Sequence, residues 1–151
     1  MRAIPSILRA LNLISFTDAP LTEREASQYS PLALAFLGDS VYDTLVREFL
    51  LCKANMPVAK LHSAKIKLVC AEFQSSVYDV IAENLTEKEL SVLKRGRNST
   101  GNTVPKHANA MDYRRATALE CLFGFLFITG QNNRIEHLFN DIIMKNVLPE
   151  F

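Results

Sequence analysis

Apolar residues recur along this chain at three- and four-residue spacing, and nowhere do they alternate with polar ones for the length of a strand, so the pattern predicts an all-helical protein. Ser30-Pro31 places an N-cap before a proline at the first helical position. The helix it opens is expected to run to about Leu51, roughly 30 Å at 1.5 Å per residue. Pro57 opens a second long helix, to about Asn84. Thr86-Glu87-Lys88-Glu89 has the spacing of a capping box and opens a third, to about Arg97. Residues 98–111, NSTGNTVPKHANAM, read as a loop. Asp112 is expected to cap the next helix, which stops near Thr129-Gly130. A last amphipathic helix covers about 132–148. There is no internal repeat and no linker, so the chain divides into an N-terminal extension with a short amphipathic helix (1–29) and one helical domain (30–151).

Two acids stand where the pattern predicts none. Residues 116–128, ATALECLFGFLFI, are apolar almost all round, as in a helix buried on most sides, and Glu120 sits in the middle. Asp39 poses the same question within LALAFLGDSVY, residues 32–42. A buried carboxylate must be protonated, paired with a cation or bound to metal. One reading pairs each acid with a buried Arg. The other brings both to a shared metal, and Mg²⁺ suits it because it takes carboxylate oxygens, keeps several waters and needs few protein ligands. Gly38 and Gly124 lie inside these two helices. They permit the close backbone approach that facing carboxylates require, and serve ordinary tight packing equally well. Asp43 and Arg47 have i,i+4 spacing and read as an ion pair. The aromatics Phe36, Phe123, Phe125 and Phe127 read as core, and the Tyr42 and Tyr113 hydroxyls are candidate donors near the acids.

Charge changes this picture only through its distribution. The 151 residues carry 17 Lys and Arg against 16 Asp and Glu, a net charge of +1. Yet ten of the basic residues fall within 53–67 and 94–115, where Asp112 is the only acid. Segregation of this kind makes a local positive field. Lys94, Arg95 and Arg97 crowd a helix C-terminus, where cations also suit the helix dipole. Cys52, Cys70 and Cys121 are odd in number, lack zinc-ligand spacing and sit among apolar neighbours, so buried reduced thiols and a cytoplasmic location are expected. No apolar run is long enough to span a membrane. Pro5 and Asn12 interrupt the basic N-terminus, which argues against a signal peptide and leaves a transit peptide open.

LALAFLGDSVYD (32–43) resembles the signature helix of the ribonuclease III family, whose pattern centres on F-L-G-D-S/A-V. TALECLFGFLF (117–127) resembles the same family's C-terminal catalytic helix, with the Glu in place. Between them LKRGRNSTGNTVPK (93–106) resembles the basic loop of the small bacterial branch, Mini-ribonuclease III, which has the catalytic domain and no double-stranded-RNA-binding domain. The three motifs occur in the family's order, and the resemblance covers residues 30–148. The long ribonuclease III enzymes carry further acids at the positions of Leu32, Ala35 and Thr117; this chain departs from them there, as the Mini branch does.

The resemblance implies an all-α homodimer and a Mg²⁺-dependent endoribonuclease. Its substrate would be double-stranded RNA, with ribosomal RNA precursor of the 23S type as the expected class. Hydrolysis would leave 5′-phosphate and 3′-hydroxyl ends, in the service of ribosome biogenesis, and a ribosomal protein is a further expected partner. Asp39 and Glu120 match the family's catalytic and metal-holding acids. Lys94, Arg95, Arg97, Asn98, Lys106 and Lys67 become the candidate RNA contacts, with Ser99, Thr100, Asn102 and Thr103 as further hydroxyl and amide donors. Duplex RNA is read mainly through shape, phosphates and 2′-hydroxyls, which suits such a set. Three other readings compete: a non-catalytic RNA-binding relative of the same fold, a helical dimerisation module with no RNA role, and a small-molecule phosphohydrolase, against which the lack of a paired His-Asp dyad or other metal cluster in the sequence speaks.

Overall fold

The computed structural model describes residues 19–101, 104–146 and 148–150; the short helix expected within 1–16 and the candidate contacts Asn102 and Thr103 lie outside them. Among the described residues there are helices only: α1 (Glu23–Ala26), α2 (Pro31–Lys53), α3 (Val58–Val69), α4 (Ala71–Ala82), α5 (Glu87–Asn98), α6 (Ala110–Ile128) and α7 (Asn132–Lys145). None is long and apolar enough to cross a membrane.

The all-round apolar helix occupies the centre. Leu119, Leu122, Phe123, Phe125 and Leu126 of α6 are fully buried, and α2, α4 and α5 pack around it while α7 closes one end. α2 begins as expected: the Ser30 hydroxyl accepts from the Ala33 amide at 3.1 Å and Pro31 follows it. Tyr42 of α2 is edge-on to Phe123 and Phe139, with ring centroids 5.7 and 6.1 Å away, and its hydroxyl donates to the Leu68 carbonyl at 2.8 Å. That hydroxyl is therefore occupied in the core and is not a donor to the acids.

α2 and α6 meet backbone to backbone. A Cβ on Gly38 would lie 1.6 Å from the Glu120 carbonyl oxygen, and one on Gly124 would lie 1.9 Å from that of Leu34. Residue 34 thus faces 124 and residue 38 faces 120, an antiparallel crossing that only two glycines allow.

Several expectations need correction. The long helix expected over 57–84 is broken at Cys70, whose ψ of 151° is extended. Its two halves bury different faces: α3 packs on α2, while α4 packs on α6 and α7. The cap of α6 is Asn109, whose side chain accepts from the Asp112 amide at 3.1 Å. Asp112 instead lies in the first turn, where an acid suits the helix dipole. At Thr86 only half of the capping box forms. The hydroxyl accepts from the Glu89 amide at 3.2 Å, but the Glu89 carboxylate turns inward to Arg134, 2.9 Å away. The full box occurs at Thr22 and Glu25, ahead of α1. Of the cysteines only Cys121 is buried; Cys70 is half-buried and Cys52 exposed, all three unpaired.

Candidate active site

The glycine crossing brings the two acids together from positions 81 residues apart in the chain. Asp39 follows Gly38 directly, and Glu120 is the residue whose backbone Gly38 touches. Glu120 is half-buried, but Asp39 is exposed, against the expectation that both are buried. Leu32 and Phe36, 45% and 86% exposed, lie on the same side of α2, so that side is surface despite its apolar sequence. Phe36 is accordingly no core residue.

Burial, and next the negative charge of Asp39, push the Glu120 carboxyl up to about 7, while a hydrogen bond from Gln74 pulls the other way. Among the described residues neither acid has a Lys or Arg partner, so the buried-ion-pair reading fails for both. Nor do three or more His, Cys, Asp or Glu side chains cluster there. The donor set is two carboxylates. It suits a hard, well-hydrated divalent cation that fills its remaining positions with water and substrate oxygens, not an ion that needs a closed cage.

Gln74 was not foreseen. Its amide nitrogen donates to the Val69 carbonyl at 3.0 Å and to Glu120 Oε1 at 3.3 Å, and the residue is 1% exposed. The signal was available, because Gln74 interrupts the apolar stripe that Val77, Tyr78 and Ile81 continue along α4. Asp43 pairs with Arg47 as expected and also with Lys65 at 3.2 Å, which leaves it two cations of its own. Cys121 is buried, and burial pushes its thiol up to about 12.

Of the candidate RNA contacts, Lys94, Arg95, Asn98 and Lys106 are exposed. Arg97 is half-buried and donates to the Tyr78 hydroxyl at 3.3 Å and to Asn98 Oδ1 at 3.2 Å. The other side of Tyr78 is served by Arg115, whose guanidinium stands 4.9 Å from the ring centre and pairs with Asp79. Tyr78 lies one helical turn beyond Gln74 on α4. Lys67 is exposed, and its ammonium donates to the Glu150 carbonyl at 2.6 Å. Ser99 closes α5 with a bond to the Gly96 carbonyl, and Thr100 is buried, so these two serve the fold and not a ligand.

This arrangement has counterparts. A model of the ribonuclease III domain matches residues 32–131. Mini-ribonuclease 3 of Clostridium tetani is 36% identical over 129 residues, 85% of each chain. Mini-ribonuclease 3 of Brevibacillus brevis is 40% identical over 115 residues, 76% of this chain and 86% of that one. A crystal structure of a Fusobacterium nucleatum protein superposes with a TM-score of 0.71 at 30% identity, covering 80% of this chain and 96% of its own. The crossing of two glycines, the two acids it brings together and the matched domain that spans both place this chain in the ribonuclease III family of endoribonucleases, within its Mini-ribonuclease 3 branch.

Proposed function

We propose that the protein is a Mg²⁺-dependent endoribonuclease that hydrolyses phosphodiester bonds in double-stranded RNA and leaves 5′-phosphate and 3′-hydroxyl ends. The observation that carries this reading is the α2–α6 crossing, which sets Asp39 and Glu120 side by side without a cationic partner. Asp39 and Glu120 are the residues we assign to hold the cation. A bound Mg²⁺ supplies positive charge to the phosphoryl oxygens and lowers the pKa of water near it. The chain's own part is to fix the two carboxylates. Glu120 is anchored from behind by Gln74, and Asp39 is open to the substrate side.

Lys94, Arg95, Arg97, Asn98, Lys106 and Lys67 are the residues we assign to the RNA. Arg97 is the best fixed of them, because its guanidinium already donates to the Tyr78 hydroxyl of α4. We infer a homodimer as the working form. Leu32 and Phe36 are apolar, exposed and one turn apart on the helix that carries Asp39, so a twofold pairing there would put two acid pairs along one RNA duplex. The substrate class that fits the family resemblance is ribosomal RNA precursor of the 23S type, processed in the cytoplasm. Three unpaired cysteines suit that compartment.

The test uses a radiolabelled RNA duplex with Mg²⁺. Asp39→Asn and Glu120→Gln are each expected to bind it within about threefold of the parent, yet to lose at least about 10²-fold in cleavage rate, a loss of the size seen when a central charge-stabilising group is removed. Cutting by both variants at near the parent rate would overturn the site assignment. Binding without cutting by the parent itself would favour the non-catalytic RNA-binding reading.

A further inference from the structure

Gln74 is buried, yet one of its polar atoms has no partner among the described residues. The break at Cys70 ends α3 and leaves the Val69 carbonyl without a helical amide to accept from. Gln74 answers it. Because a carbonyl can only accept, the amide nitrogen must face Val69, and the same nitrogen reaches Glu120 Oε1. Both amide hydrogens are then used, and the orientation of the group is fixed. What remains is Gln74 Oε1, buried and with no hydrogen-bond donor among the described residues. It stands one amide width, roughly 2.2 Å, from the nitrogen that holds Glu120. Buried acceptors are almost always satisfied, so a lone one on the side chain that holds Glu120 calls for a donor.

We propose that Gln74 is a positioning residue of the acid pair: its nitrogen fixes the Glu120 carboxylate, and its Oε1 is an outer-sphere acceptor for a hydrated divalent cation. Mg²⁺ gives up its waters reluctantly, so a site with only two carboxylates must recognise the ion largely through its hydration shell. An acceptor-only oxygen held rigidly in place is suited to that. Groups that orient the ligands of a metal typically change its affinity 10–100-fold when removed. The inference rests on the cation-holding role proposed for Asp39 and Glu120.

The experiment measures binding of Mn²⁺ alone by electron paramagnetic resonance, to the parent, Gln74→Met, Gln74→Leu and Asp39→Asn. Both Gln74 variants keep a buried apolar side chain of similar bulk. They are expected to weaken Mn²⁺ binding at least tenfold and to lower kcat on duplex RNA, with KM for the RNA unchanged. If Asp39→Asn loses Mn²⁺ while both Gln74 variants keep parent affinity, this inference falls and the acid-pair reading stands. If Asp39→Asn also keeps parent affinity, the acid-pair reading itself falls. Loss of the folded circular-dichroism spectrum in both Gln74 variants would make the residue a packing element and equally overturn the proposal.

Discussion

At the scale of single residues, Glu120 makes the sharpest statement about its surroundings. Its carboxyl ionises near pH 7 in the folded protein, against an ordinary value of 4.5, because burial and the charge of Asp39 both oppose ionisation. A carboxyl that keeps its proton longer when folded favours the folded state at low pH. That contribution is complete below about pH 4.5 and is lost as pH rises to about 7. The loss amounts to about 1–3 kcal/mol after discounting for partial exposure. Metal-free protein should therefore become easier to unfold in urea between pH 4.5 and 7, and Glu120→Gln should flatten that slope. An identical slope in the variant would show that the proton resides elsewhere. The divalent cation proposed for this site would offset that repulsion, because it favours the charged form of both acids at once.

At the scale of helices, the crossing of α2 and α6 decides whether those acids meet. Alanine in place of a helical glycine ordinarily stabilises by roughly 1 kcal/mol. At Gly38 the sign reverses, because the new methyl would fall 1.6 Å from a backbone oxygen that cannot rotate away. Gly38→Ala should lower stability by about 2 kcal/mol or more, since overpacking of this kind commonly costs about 1–3. Cleavage should fall further than the loss of folded protein explains, because spreading the helices separates Asp39 from Glu120. Thermal unfolding and a cleavage assay on the folded fraction together check this. The crossing was legible in the sequence through its two glycines, each next to or near an acid. So were the Ser30-Pro31 start and the almost wholly apolar stretch 116–128 of α6, because local chemistry alone dictates them. The break at Cys70 was not. No proline or glycine marks it, and it follows from α3 and α4 burying their faces against different partners. Asp39 was misplaced for a related reason: Leu32 and Phe36 make its helix face read as interior, and hydrophobic pattern does not distinguish a core from an exposed apolar face.

At the scale of the whole molecule, two surfaces remain to be used. The first is the basic one, which should make the proposed RNA binding salt-sensitive even though the net charge is only +1. Each phosphate contact contributes roughly 0.7–0.9 to the slope of log affinity against log salt. Replacing Lys94 and Arg95 with Ala should flatten that slope by roughly 1–2 if both touch phosphate. Filter binding of a duplex across a salt series reads this directly, and an unchanged slope would remove the pair from the RNA face. The second surface is the Leu32–Phe36 stripe. An aromatic ring 86% exposed is stabilised by almost nothing in its own chain, so its replacement should leave the fold intact. If a second copy covers it, Phe36→Glu places a charge in a dry interface and should turn a dimer into a monomer in sedimentation at micromolar concentration. Thermal stability at high dilution, where the parent also dissociates, should then be the same for both. Cleavage should fall with the dimer while the acid pair stays assembled, since Asp39 and Glu120 belong to one chain. A parent that sediments as a monomer would confine the enzyme to one cut at a time and leave Phe36 facing some other partner.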